Sequence, residues 1–155
     1  MARARLLFLL AAIPLLAAAV PAGAVLDPRS DGMGVYFDPG AEIVCGTTSP
    51  FSALSVYLVL TSGSAPNLTA WEAGLTWAPI GDAQFQGTWS LPGCIDVAGT
   101  AQNGQFQVGC GTRPLVAPAM VLAVWNGVFF GSAGAGAALT LGGLSGSTVF
   151  AGGLP

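Results

Sequence analysis

Glycine and proline divide this chain into short runs built largely of Val, Leu, Phe, Tyr and Trp, and that punctuation restricts the fold more than any other feature. Regular breaks between β-forming runs predict an all-β antiparallel fold, a sandwich or a barrel. The clearest run is Leu68–Trp77. Trp71, Ala73, Leu75 and Trp77 share one face, while Ala70, Glu72, Gly74 and Thr76 share the other. A period of two with a charge on one face only describes a half-buried strand whose tryptophans point inward. Leu54–Thr61 and Met120–Phe130 are apolar on both faces, as central strands require. Gly34–Phe37, Ala41–Cys45, Ala83–Leu91, Cys94–Ala98, Gln105–Cys110, Ala137–Leu141 and Thr148–Ala151 supply the remaining runs, for about nine or ten strands and no helix. Asp38-Pro39-Gly40 predicts a turn joining the first two runs, with Pro presetting φ and Gly accepting φ > 0. Asn103-Gly104 predicts a two-residue type I′ hairpin.

The start of the chain has a different character. Arg3 and Arg5 precede the uncharged, apolar stretch Leu6–Val20, and Ala22-Gly23-Ala24 closes it with small residues. This is the layout of a secretory signal peptide, which predicts cleavage after Ala24 and a mature chain beginning at Val25. At about fifteen residues, interrupted by Pro14, the stretch is short of the roughly twenty that span a bilayer. The expected organisation is a signal peptide over 1–24, a polar lead-in over 25–33 and one sandwich domain over 34–155. The address that follows is secreted, periplasmic or cell-surface. A membrane span over Leu115–Phe130 is the rival for the second half, but it would have to absorb Pro118, Asn126 and Gly127. A central strand is expected there, and hence no span once the leader is removed.

Charge then removes whole classes of function. Beyond Ala24 the cations are Arg29 and Arg113, against seven carboxylates, and the chain holds neither Lys nor His. Two arginines cannot neutralise a run of phosphates, so nucleic acid is not an expected partner. Without His there is no Ser-His-Asp or Cys-His relay, and without Lys no Schiff base and no Walker-type phosphate loop. Three Cys without C-x-x-C spacing do not form a zinc site. No cofactor is expected.

The remaining chemistry rests on Cys, carboxylates and Trp. In an oxidising compartment an odd number of Cys leaves one over. Cys94–Cys110 is the favoured disulfide, with Cys45 a buried thiol, and Cys45–Cys110 is the second arrangement. Register argues partly against the first. A two-residue turn at Asn103-Gly104 sets Cys110 opposite Val97, so a bulge at Gly99 or Gly109 would be needed. Asp27, Asp31 and Asp38 lie close in sequence without calcium-loop spacing, and read as a solubilising lead-in. Glu72, Asp82 and Asp96 are the carboxylates from which a glycosidase-like pair could be drawn. Trp71, Trp77, Trp89 and Trp125 are expected mainly in the core. Trp89 is the expected ligand contact, because Gly87 interrupts its strand. Asn67-Leu68-Thr69 matches a glycosylation sequon.

Val56-Tyr57-Leu58-Val59-Leu60, then Trp71-Glu72-Ala73-Gly74-Leu75-Thr76-Trp77, then Val121-Leu122-Ala123-Val124-Trp125 with Phe129, together resemble cohesin-type sandwiches. Modules of that kind are secreted jelly rolls of the wider carbohydrate-binding-like group, so the resemblance implies a jelly-roll or cohesin-like sandwich. The chain is also similar to exported proteins of environmental bacteria. Ala78-Pro79 follows Trp77 where cohesins usually carry Asp-Pro, and no contact residue is carried over. The leader, the missing His and Lys chemistry and the expected sandwich together predict a secreted, non-enzymatic module with a structural or binding role at the cell envelope. Recognition of a glycan or of another envelope protein is the form that binding would take. The alternative is a small exported hydrolase acting through carboxylates.

Overall fold

The computed structural model describes residues 29–144 and, as backbone, 149–153. The leader, the expected cleavage point and Asp27 lie outside the described residues. Nine strands build two antiparallel sheets. Sheet A has the order β1 (Gly32–Tyr36), β2 (Ala53–Thr61), β7 (Ala119–Phe130), β4 (Gln84–Ser90). In sheet B, β5 (Ile95–Asp96) pairs with β6 (Gln105–Pro114), and β6 with β3 (Asn67–Ile80). The far side of β3 is occupied by β9 (Val149–Gly153) along its first half and by β8 (Gly136–Gly142) along its second. The lead-in ends at Asp31, two residues earlier than expected.

The two expected central strands, β2 and β7, lie side by side in sheet A. Their pairing steps from Leu58↔Ala123 to Val59↔Val121, so Leu122 is an extra residue on β7. Such a bulge turns consecutive side chains toward one face, and both Leu122 and Ala123 are fully buried. The sheets close over one core. Phe106, fully buried, receives Trp71 at 5.3 Å and Trp89 edge-on at 5.0 Å between ring centroids. Trp71, Ala73 and Leu75 are buried and Trp77 half-buried, so the tryptophan face of β3 points inward as its period requires.

Two expected elements differ. Ala41–Cys45 is not a strand, because the Asp38 carboxylate accepts the backbone N–H groups of Gly40, Glu42 and Ile43 at 2.6–2.9 Å. With Phe37 N–H donating to the Ile43 carbonyl, the segment closes into a wide turn. Its positive φ falls on Ala41, at +61°, and not on Gly40. The Asn103-Gly104 hairpin is not a two-residue turn either. Ala101–Asn103 form a 3-10 turn that ends at Gly104 in the left-handed region, where the Leu75 carbonyl leaves no room for a Cβ.

That insertion settles the disulfide. Ile95 pairs with Gly109 and Asp96 with Val108, so Cys94 stands opposite Cys110, with Cα atoms 4.2 Å apart, and the two are bonded. No bulge at Gly109 is involved. Cys45 is free but exposed, not buried, since it lies in the segment that failed to become a strand.

Candidate functional site

The connections sort themselves between the two ends of the sandwich. The links over 62–66 and 115–118 lie at the end where β1 begins and β9 finishes. The links over 37–52, 81–83 and 131–135 gather at the opposite end. There, between the sheets, sits an apolar cavity of about 270 Å³. Its floor is Trp77, Phe85 and Phe129, with Phe85 4.7 Å from Trp77 and 5.4 Å from Phe129 between ring centroids. Thr47, Thr48 and the turn at Gly134-Ala135 form its rim. The floor follows from strand parity, since Phe85 and Phe129 are cross-strand partners and both face inward.

Trp89 does not escape the core. It is buried against Phe106, and its backbone N–H and carbonyl are both bonded by the Gln102 side chain at 2.9 Å. Gly87 has another role. It pairs with Gly127 across β4 and β7, and the indole of Trp125 lies over both, where any Cβ would collide with it. Trp77, which lines the cavity, is the tryptophan placed where a ligand could reach it. Its position at the end of the alternating run, next to Ala78-Pro79 and three residues before β3 stops, was the available sequence signal.

The carboxylates do not converge. Register sets Asp96 in one row with the inward-facing Val108 and Trp71, whereas Glu72 shares a row with Gln107 on the outer face. The two therefore lie on opposite faces of sheet B. One Asp96 oxygen accepts Ala101 N–H at 2.8 Å, and the other is buried without a partner, as is Trp71 Nε1. Asp82 sits at the cavity end and accepts the Ser132 N–H at 3.0 Å and its hydroxyl at 2.8 Å. Those bonds, the backbone one first, hold its carboxyl below the usual 3.8. Asp31 and Asp38 stand at opposite ends of β1. Asp31 bonds Ser64 at 2.6 and 2.7 Å, while Asp38 closes its own turn. Among the described residues no three Cys, Asp or Glu cluster as a metal site.

Arg113 reaches across the sandwich from β6. Its Nη1 donates to the Pro92 carbonyl at 2.6 Å and to the Val121 carbonyl of sheet A at 3.5 Å, so it acts as a cross-sheet tie. The apolar stretch Leu115–Phe130 forms the expected central strand, as a short link followed by β7, and not the rival membrane span. Among the described residues no helix is long and apolar enough to cross a membrane. Asn67 of the sequon opens β3, paired on both sides. No family model, curated protein or solved structure matches the chain.

Proposed function

We propose that this chain is an extracytoplasmic, non-enzymatic recognition module whose ligand enters at the loop end of the sandwich. The observation that carries this reading is the aromatic cavity on Trp77, Phe85 and Phe129, at the end remote from where the described chain begins and finishes. Loops held by a rigid scaffold are where binding residues concentrate, and a mostly apolar cavity with a few polar rim groups is the usual form of a small-ligand site. Its volume suits one apolar group of a larger ligand, with the Thr47 and Thr48 hydroxyls at the rim. The disulfide supports an oxidising compartment, in keeping with the expected leader. A glycan or another envelope protein is the expected partner, the latter being what the cohesin resemblance implies.

The test is a glycan array and a peptide library on the processed protein, run beside a hydrolase panel. Binding without turnover, lost when Thr48→Trp fills the cavity, is the expected result. Hydrolysis that disappears on changing Glu72, Asp82 or Asp96 to Ala would establish the hydrolase alternative instead.

A further inference from the structure

Sheet A presents an outer face of amides, hydroxyls and a few apolar side chains. Register aligns its outward side chains in rows across β4, β7 and β2. Gln84 stands beside Phe130, Gln86 beside Val128 and Ala53, Thr88 beside Asn126 and Ser55, and Ser90 beside Val124 and Tyr57. In an acidic chain, these rows contain no Asp, Glu, Lys or Arg. Every outward residue of β4 is exposed, and each is an amide or a hydroxyl. Ser55 Oγ donates to Asn126 Oδ1 at 2.8 Å, which leaves the Asn126 amide its N–H donors at the surface. From Gln84 to Ser90 the face runs ~20 Å at the usual strand rise, long enough for several sugar rings.

An aromatic side chain stands at one end of these rows. Phe51 is 77 % exposed, although its ring meets Phe130 edge-to-face at 5.7 Å. Its backbone sits at φ +62°, a region a bulky side chain rarely occupies. Phe51 N–H donates to the Phe129 carbonyl at 2.8 Å, and Phe129 N–H returns a bond to Ser52, so β7 holds the ring outside the core. At the other end the face is bounded by Tyr57, packed with Tyr36, Ala41 and Val59.

We propose that the outer face of sheet A binds a linear, uncharged polysaccharide along β4, with Phe51 as the stacking residue and Gln84, Gln86, Thr88 and Asn126 as hydrogen-bonding groups. Amides and hydroxyls can each donate and accept, which matches sugar hydroxyls. An exposed aromatic ring offers an apolar surface to the C–H face of a pyranose. The lack of charge fits a neutral polymer, while the acidic remainder of the molecule repels an anionic one. A protein partner is the poorer match, because the outward residues of β4 are all amides and hydroxyls and offer no apolar centre of the kind a protein interface buries. The proposal rests on the reading of the chain as a recognition module, but on residues separate from those of the cavity.

Native affinity electrophoresis of the processed protein provides the test, in gels holding hydroxyethylcellulose, xyloglucan, galactomannan or a β-1,3-glucan, with polygalacturonate as the charged counterpart. Retardation by at least one neutral polymer and none by polygalacturonate is expected. Phe51→Ala and Gln86→Ala should each weaken retention about tenfold, with unchanged circular dichroism, while Thr140→Ala on the outer face of sheet B should not. Free migration in all four neutral gels overturns the proposal. Retention lost with Thr48→Trp but kept with Phe51→Ala also overturns it, moving the ligand to the cavity and leaving the module reading intact. A dimer in sedimentation that dissociates with Gln86→Lys would make this face a self-association surface and defeat the proposal as well.

Discussion

Two long crossings border the sandwich, and they are held in opposite ways. The stretch from Leu91 to Gly104 includes β5 and buries Ala101, and it is bonded to three strands around it even though Ile95 and Val97 stay exposed. The Cys94–Cys110 disulfide, the Arg113 bond to Pro92, the Gln102 clasp on Trp89 and the Leu75 bond to Gly104 tie it to β6, β4 and β3. The stretch from Phe37 to Ser52 is closed mainly by Asp38 bonding to its own turn. Apart from the buried Ala41, residues 42–51 are exposed, with Ile43, Val44 and Cys45 among them. Segments with few buried contacts open at low free-energy cost, whereas segments tied into a core open only with the whole domain. The first crossing therefore completes the core, and the second is left to shape the cavity rim and carry Phe51.

The largest expected effect tests the core side of this contrast. Phe106→Ala removes the ring on which Trp71 and Trp89 both pack, and should cost about 3–5 kcal/mol of global stability in denaturant unfolding. A loss under about 1 kcal/mol would mean that the Trp71–Phe106–Trp89 packing, against which that flank closes, is not central to the core.

Removing the disulfide comes next. Cys94→Ser with Cys110→Ser should cost about 3 kcal/mol for a loop of this length. In the native wild-type protein iodoacetamide should label Cys45 alone, and mass spectrometry would show it. Labelling at Cys94 or Cys110 would contradict the tight crossing.

Asp38→Ala should lower global stability by under about 1 kcal/mol, because the hydrogen bonds it loses lie at the surface. Amide exchange should nevertheless accelerate at Gly40, Glu42 and Ile43 and stay unchanged at Ile95–Gly104. Uniform acceleration would erase the distinction between the crossings.

The smallest effect is the acid limb of Asp82. Its folded carboxyl lies below the ordinary 3.8, so it contributes stability above that value and loses it as pH falls through the lowered one. Asp82→Asn should flatten the melting temperature in that acid range and leave it nearly unchanged at neutral pH. An unaltered acid limb would show that the Ser132 turn is not held by this carboxylate.

Much of the fold was legible along the chain. The alternation through Trp71, Ala73, Leu75 and Trp77 survives into β3 because side-chain period is a property of the strand backbone itself. The apolar runs of β2 and β7 foretold their central places in sheet A, although their outer face is buried only around Val59, beneath Tyr36 and Ala41, and is partly open elsewhere. The candidate site was less legible. Trp89 looked available because Gly87 weakens its strand, yet Gly87 makes room for Trp125, and Phe106 from the other sheet buries Trp89. Cys94 and Cys110 flank the expected Asn103-Gly104 hairpin, while the three-residue turn at Ala101–Asn103 that brings them into register leaves no distinctive mark in the sequence.

Composition and local pattern thus determined an acidic, all-β chain without His or Lys chemistry, with a tryptophan face turned inward and an aromatic-rich core. These properties belong to single residues or to neighbours two positions apart. Only the tertiary structure decided which carboxylates face each other, which aromatics remain outside and where a cavity opens. Glu72 and Asp96 were separated by strand register, and Phe51 was held outward by backbone bonds to a strand nearly eighty residues away. Register and cross-sheet packing are set by contacts between distant segments, and no window along the sequence contains both partners.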